Sequence, residues 1–427
     1  MNVPMEKHTF HVHEYIYDEY GLTFNISNFH PDKEDVKAYI RIEADLQKHP
    51  QLDGEHLKLQ HQNLTSATAR KSFVKILGDD FPGFPWADIM EYICTKSTLK
   101  YWEGAPMIKI GKQRKRTEVP YLLYPVVRKD SPCIIYGNGG TGKSYVSLYF
   151  SMLIQHSLSI GTLVPQQSNV LYLDYESGDE DLNDRLAAMA KGLSIDVEIS
   201  YRYCHQPLAQ DVETLGKMIA YENIGMVVVD AKGAAVGGWV NEARQTMDMF
   251  NSLRSLGITS IIIDHVSKEN SSAPIGSIYN FNEARNIWEM RSSQVEESDR
   301  MKIGLYHKKT NVGKLHRDFG LEFVFQDDES GNIDTVWVNE TETTSDPVLR
   351  KGKNIYDQIA YLLSHSTDMT GVHKALSIEE ITNSIGEKQS TVTSRVSDRV
   401  GDYGYWERKS KGMYVYKPKI EEDHVEW

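Results

Sequence analysis

CIIYGNGGTGKS, residues 133–144, is the stretch that decides the fold: a short apolar run, a glycine-rich octet, and then an amphipathic segment of helical length. Gly137, Asn138, Gly139, Gly140, Thr141, Gly142, Lys143 and Ser144 fit the pattern GxxxxGK[ST] at every fixed position. The glycines let backbone N–H groups converge on phosphate oxygens, and the helix start behind them adds its positive dipole end. Lys143 then reaches the β- and γ-phosphates, Ser144 offers a hydroxyl to Mg²⁺, and Tyr145, next along the helix, joins the nucleotide-binding set.

Outward from the octet the same texture repeats. VLYLD (Val170 to Asp174), MVVVD (Met226 to Asp230) and SIIID (Ser260 to Asp264) are non-alternating and rich in Val and Ile, as strands buried on both faces are. The stretches between them are long enough for helices, so an α/β domain with a mostly parallel sheet is expected over 117–340. Ligands in such sheets bind beyond the carboxyl ends of the strands. Asp230 ends one of these strands and is placed to hold the water shell of a nucleotide's Mg²⁺. Asp174 and Glu176 end another, where a carboxylate can orient water for in-line attack on a γ-phosphate. Glu176 is the expected base, with Asp174 capping or orienting its neighbours. LEFVF (Leu321 to Phe325) and TVWVN (Thr335 to Asn339), joined by DDESGN, predict an antiparallel hairpin closing the domain.

The flanks differ. Residues 1–108 read as a separate α+β module, with helical stretches at Asn63 to Leu77 and Ala87 to Tyr101 around FPGFPW. Residues 109–116 hold five basic side chains, a solvated linker or a phosphate-contacting strip. Residues 341–353 are polar and read as a linker, and 419–427 as an acidic, disordered tail. Between them, 354–418 run helix, helix, turn, helix and hairpin, the winged-helix order; Ser377 with Glu380 is a helix-start signal. Counted from Lys351 to Lys419, this region carries more basic than acidic residues, although the 427-residue chain has 47 basic and 60 acidic side chains, a formal charge of -13. A chain-wide polycation is thereby excluded, and nucleic-acid contact must use local patches. Three cysteines without metal-type spacing point to reduced thiols and a cytoplasmic setting. No signal-type apolar core and no spanning-length run occur, so membrane association is not expected. His8, His11 and His13 lack further partners at ligand spacing and are not expected to bind metal.

In series, VLYLDYESGDEDLNDRL, VVVDAKGAAVGG, IIIDHVSKEN, GSIYNFNEARNIWEM and HKKTNVGKL resemble the RecA-like ATPase core. Within it they are most similar to the hexameric plasmid replicative helicases of the RepA type and their phage and mobile-element relatives. The resemblance implies ATP with Mg²⁺ and a homo-oligomer, most simply a hexamer. It implies that Glu176 is catalytic, that His265 is a polar sensor of the γ-phosphate, and that Arg285 is an arginine finger acting on a neighbouring subunit. Lys309 and Asn311 stand where DnaB-type helicases have Lys-x-Arg. Asn311 cannot supply the second cation, so Lys309, Lys308 or Arg285 would carry it.

The loops Ala231 to Asn241 and Lys268 to Ser277 would face a central pore in such a ring. Lys232, Lys268 and Asn270 are the candidates for a nucleic-acid backbone, or else solvated loop residues; Trp239 could stack on a base or pack on its own domain. In the C-terminal module, Lys388, Ser390, Thr391, Ser394, Arg395 and Arg399 could enter a major groove, with Arg408, Lys409 and Lys411 on phosphates. Protein docking is the other use of that architecture. The expected activity is a Mg²⁺-dependent ATPase motor, a DNA helicase or single-stranded DNA translocase replicating a mobile element alongside other replication proteins. The alternative is an ATP-switched DNA-binding oligomer without unwinding activity.

Overall fold

The computed structural model describes residues 4–8, 12–50, 56–104, 120–237, 243–266, 282–295 and 297–418. The basic run 109–116, the acidic tail, His11, Trp239, Lys268 and Asn270 lie outside the described residues.

The first module is an antiparallel meander of five strands, β1 (Met5–His8), β2 (Val12–Tyr17), β3 (Leu22–Asp32), β4 (Asp35–Ala44) and β5 (His56–Asn63). Helices α1 (Ala67–Asp80) and α2 (Trp86–Glu103) pack on it through Phe73, Leu77, Ile89, Met90 and Ile93. The helix expected from Asn63 therefore starts later. Residues 56–63 pair with β4, and the Asn63 side chain turns the chain by accepting from the N–H of Thr65 and of Ser66, both at 3.0 Å. Ser66 then caps α1 by accepting from Ala69 N–H at 3.2 Å. His8 and His13 are register partners in the first hairpin, and His13 packs on Phe29.

Two short strands, β6 (Tyr121–Tyr124) and β7 (Val127–Arg128), lead into the central domain. Its elements follow in chain order: β8 (Pro132–Gly137), α3 (Lys143–His156), β9 (Val164–Pro165), β10 (Asn169–Asp174), α4 (Asp179–Leu193), β11 (Ser200–Tyr203), α5 (Leu208–Tyr221), β12 (Ile224–Asp230), α6 (Lys232–Val236), α7 (Ala243–Ser255) and β13 (Thr259–His265). Four longer strands complete it, β14 (Asn286–Gln294), β15 (Arg300–Thr310), β16 (Phe319–Asp327) and β17 (Ile333–Thr341). Nine of these strands form one sheet in the order β11-β10-β12-β13-β8-β14-β15-β16-β17. The first six are parallel and the last three antiparallel.

Strand alternation divides the core in two. Ile135, Tyr172, Val228 and Ile263 face α3 and α4, while Ile134, Leu173, Val229 and Ile262 face α5 to α7. Both faces are buried, which is why these strands read as continuous apolar runs. β11 and β14 are parallel strands that the sequence expectation omits: β11 is short and polar at an edge, and β14 carries Glu289 and Arg291 among its apolar residues.

The segment 341–353 is more than a linker. Asp346 accepts from Val348 and Leu349 N–H and caps a four-residue helix, Pro347–Arg350, whose Leu349 is buried. Tyr306 donates to Leu349 O, Lys308 donates to Gly352 O at 2.9 Å, and Lys353 pairs with Asp318 at 3.1 Å, so the segment is strapped onto the sheet. Beyond it, helices Ile355–His365, Ile378–Ile385 and Gln389–Asp398 enclose Ile359, Leu363, Ile381, Val392, Val396 and Trp406 together with β18 (Leu376–Ser377), β19 (Trp406–Ser410) and β20 (Met413–Tyr416).

Candidate functional site

Parallel register aligns the strand ends. Asp174 pairs with Asp230 across β10 and β12, and His265 pairs with Gly137 across β13 and β8, so two carboxylates, an imidazole and the start of the glycine loop share one edge of the sheet. There the glycine octet folds as a loop from β8 into α3. Gly140 and Gly142 have φ of 73° and 79°, a left-handed conformation that disfavours any residue with a Cβ. Gly137 has a second reason: a Cβ there would lie 2.5 Å from Met290 O on β14.

A cavity of about 700 Å³ opens over this loop and is lined by Gly140, Thr141, Gly142, Lys143, Ser144, Tyr145, Glu176, Asp230 and His265, with β14 to β17 forming its far wall. The size suits a nucleotide. Lys143 donates to Gly137 O at 3.2 Å and Asn138 O at 2.7 Å, holding its ammonium against the loop. Burial pushes its pKa down, opposed by the carboxylates of Asp230, Glu176 and Asp264. Thr141 donates to Asn138 O at 2.9 Å; Gly139 belongs to the same loop.

The acids separate by environment. Asp174 is buried and spent on structure: its carboxylate accepts from the N–H groups of Glu176, Ser177 and Gly178 at 2.8–3.0 Å and from Tyr201 OH at 3.1 Å. Asp230 is buried at the cavity floor, and one oxygen accepts from Tyr172 OH at 2.6 Å. Burial and Asp230 hold that phenol well above its usual pKa, so it stays a donor. Glu176 is half exposed in the cavity, 3.9 Å from His265 Nε2.

Three features have no clear signal in the sequence. Arg185 of α4 lies over the Tyr145 ring at 5.3 Å, and Tyr145 meets Phe325 edge-on at 5.5 Å, giving the cavity an aromatic wall. Tyr172 holds Asp230 from within an apolar strand. Lys232, expected to touch a nucleic-acid backbone, is instead fully buried and paired with Asp264, so that role is withdrawn.

Arg285 and Lys309 lie elsewhere. Asn286 pairs with Cys133, so Arg285 stands at the amino end of the strands, opposite the glycine loop. Lys309 donates to Asn282 O at 3.3 Å and Ala284 O at 2.9 Å beside it, and Asn311 N–H donates to Arg285 O. Neither cation reaches the cavity of its own chain. In the C-terminal module, Lys388, Ser390, Ser394, Arg408, Lys409 and Lys411 are exposed and Thr391 is half-buried. Arg395 and Arg399 are partly engaged at home, lying over Tyr356 at 5.7 and 5.3 Å and pairing with Asp398 and Asp402.

Residues 107–271 match the family model described as AAA domain. The central domain is a P-loop ATPase core. The solved structures similar to this chain include a KaiC-like protein from the hyperthermophilic archaeon Pyrococcus horikoshii OT3, at 12% identity and a TM-score of 0.37, covering 53% of this chain and 99% of that one. No curated protein matches the chain in sequence. Among the described residues, no helix is long and apolar enough to cross a membrane.

Proposed function

We propose that this ATPase core drives an oligomeric Mg²⁺-dependent motor that moves along DNA, a helicase or translocase serving replication of a mobile element. The observation that carries the reading is the division of labour between the two ends of the sheet. Glycine loop, Asp230, Glu176 and His265 share one cavity, whereas Arg285 and Lys309 sit together at the opposite end, away from their own chain's cavity, which supports a role toward a neighbouring subunit.

In this scheme the octet's N–H groups and Lys143 hold the β- and γ-phosphates of ATP, and the base lies toward Arg185 and Tyr145. The hard-oxygen donors suit Mg²⁺: Ser144 Oγ would bind it directly and Asp230 through water, and the ion would neutralise charge on the bridging phosphate oxygens. Glu176 accepts a proton from the attacking water, and His265, 3.9 Å away, responds to the γ-phosphate being present. The module 354–418 has the element order of a winged helix, and its exposed Lys388, Lys409 and Lys411 support contact with nucleic-acid phosphates. Its buried partner contacts through the strap 341–353 would transmit motion from the sheet.

The test is ATP turnover with and without single-stranded DNA. A motor gains turnover many-fold on DNA, and an unstimulated rate across salt and DNA types turns the reading to the ATP-switched DNA-binding oligomer. Arg285→Ala should bind ATP yet fail to hydrolyse it. Mixed with Lys143→Ala, it should regain activity, because each oligomer then holds some sites with an intact loop facing an intact Arg285. Full activity of Arg285→Ala alone removes the trans-acting role.

A further inference from the structure

The ends of β12 and β13 carry a second pair of charges that this scheme does not use. Lys232, first residue of α6, has no solvent exposure, and its ammonium donates to Oδ2 of Asp264, whose side chain is 3% exposed. A buried ion pair is a weak source of net stability, because desolvating both ions offsets their attraction. Its location is the informative property.

Asp264 immediately precedes His265, and strand alternation sends the two side chains to opposite faces. His265 follows Ile263 into the nucleotide cavity, while Asp264 lies on the face of Ile262, toward α6 and α7. The second carboxylate oxygen, Oδ1, accepts from the His265 N–H at 2.8 Å. Lys232 in turn follows Asp230 by two residues, through buried Ala231. One carboxylate thus ties together the backbone that carries His265 and the chain that leaves Asp230. Asp264 is also near enough to the phosphate cradle to act on Lys143 electrostatically.

We propose that the Lys232–Asp264 pair is a positioning device for hydrolysis, setting His265 against Glu176 and locking the start of α6 to the end of β13. The proposal rests on the ATPase reading above. Neither residue lines the cavity, so the pair makes no direct contact with bound nucleotide, and its main effect falls on turnover. Turnover depends on the pair because the water-activating geometry of Glu176 and His265 is held from behind by it. Removing Lys232 alone leaves Asp264 a buried acid without its counter-ion, which burial drives toward the neutral form; removing both unties the start of α6 from the end of β13.

Lys232→Met, Asp264→Asn, the double variant and Lys232→Arg are compared in the full chain with the wild type. Circular dichroism checks folding, titration with fluorescent Mg-ADP measures binding, and phosphate release gives kcat and KM. Lys232→Met and the double variant are expected to bind nucleotide within about threefold of wild type while kcat falls about tenfold or more, the scale on which small misplacements act. Lys232→Arg, which keeps the charge, should recover a substantial part of kcat. A folded double variant with wild-type kcat overturns the proposal, and so does a loss carried by binding and KM with kcat intact. If Lys232→Met does not fold, the double variant decides; if neither folds, the nearly isosteric Asp264→Asn decides by the same kcat and KM criteria. A wild type that hydrolyses no nucleoside triphosphate removes the ATPase reading itself, a result distinct from normal hydrolysis by the variants.

Discussion

Glu176 and Asp174 stand two residues apart with the same chemistry available to them, and their surroundings divide the work. Asp174 gathers three backbone donors and a tyrosine, so its oxygens are consumed by the turn, while Glu176 leaves that turn with its carboxylate in the cavity. Glu176→Gln should therefore keep nucleotide affinity and lose about two to four orders of magnitude in turnover, the usual contribution of a positioned base. Lys143→Ala should lose binding itself, because the ammonium now resting on Asn138 O is the one that would transfer to the phosphates. Equilibrium titration with a fluorescent nucleotide separates the two, and normal hydrolysis by Glu176→Gln would remove it as the base. That an acid pair ends β10, with Asp174 turned to its own neighbours, is legible in VLYLDYE, because three of its bonds are local; the fourth, from Tyr201 of the neighbouring strand, is not.

At the scale of elements, local signals translate where the partners are local. Ser377 and Glu380 form both hydrogen bonds of a capping box, Glu380 N–H to Ser377 Oγ at 3.1 Å and Ser377 N–H to Glu380 at 2.7 Å. Ser377→Ala should cost about 1 kcal/mol, read as earlier amide exchange of helix Ile378–Ile385 on an otherwise unchanged module. β14 and β15 hold a less local device. His307 stacks on Trp288 at 4.4 Å, its Nδ1 accepts from His316 N–H at 2.8 Å, and its Nε2 faces Asn286 Oδ1 at 2.5 Å. Burial, with His316 adding, pushes its pKa down to about 4. The unfolded chain would hold a proton on this ring below about 6.5, where the folded one does not. Stability from this site is therefore complete above about pH 6.5 and is lost as pH falls toward 4. Melting temperature should drop across that window, and His307→Gln should flatten the drop; an equal acid slope in both proteins would refute the assignment.

The whole molecule is joined by contacts across long sequence separations. Arg41 of β4 donates to Ala220 O at 2.7 Å and Tyr221 O at 3.2 Å, placing a cation on the carboxyl end of α5, and Tyr39 OH donates to Glu213 O at 3.1 Å. The first module is thus held against the central domain on the side that buries α5, away from the nucleotide edge. Arg41→Ala should loosen this docking, exposing residues 56–104 to earlier proteolysis while ATP turnover stays within about twofold, as distant independent sites behave. Matching proteolysis of the variant and wild type would show that the module is held by its apolar contacts alone.

The phosphate loop, the acid-ended strands and the helix caps could be read from the chain because each is built from consecutive residues whose own backbone does the binding or capping. Lys232, Arg285 and the strap at 341–353 could not, because their meaning is set by what the fold brings beside them. A lysine in a polar-looking loop becomes a buried counter-ion once β13 delivers Asp264, and Arg285 lies at the far end of the sheet once β14 pairs in parallel with β8. Charge and hydrogen bonding act through space over a few ångströms, and only the packed sheet decides which residues come that close.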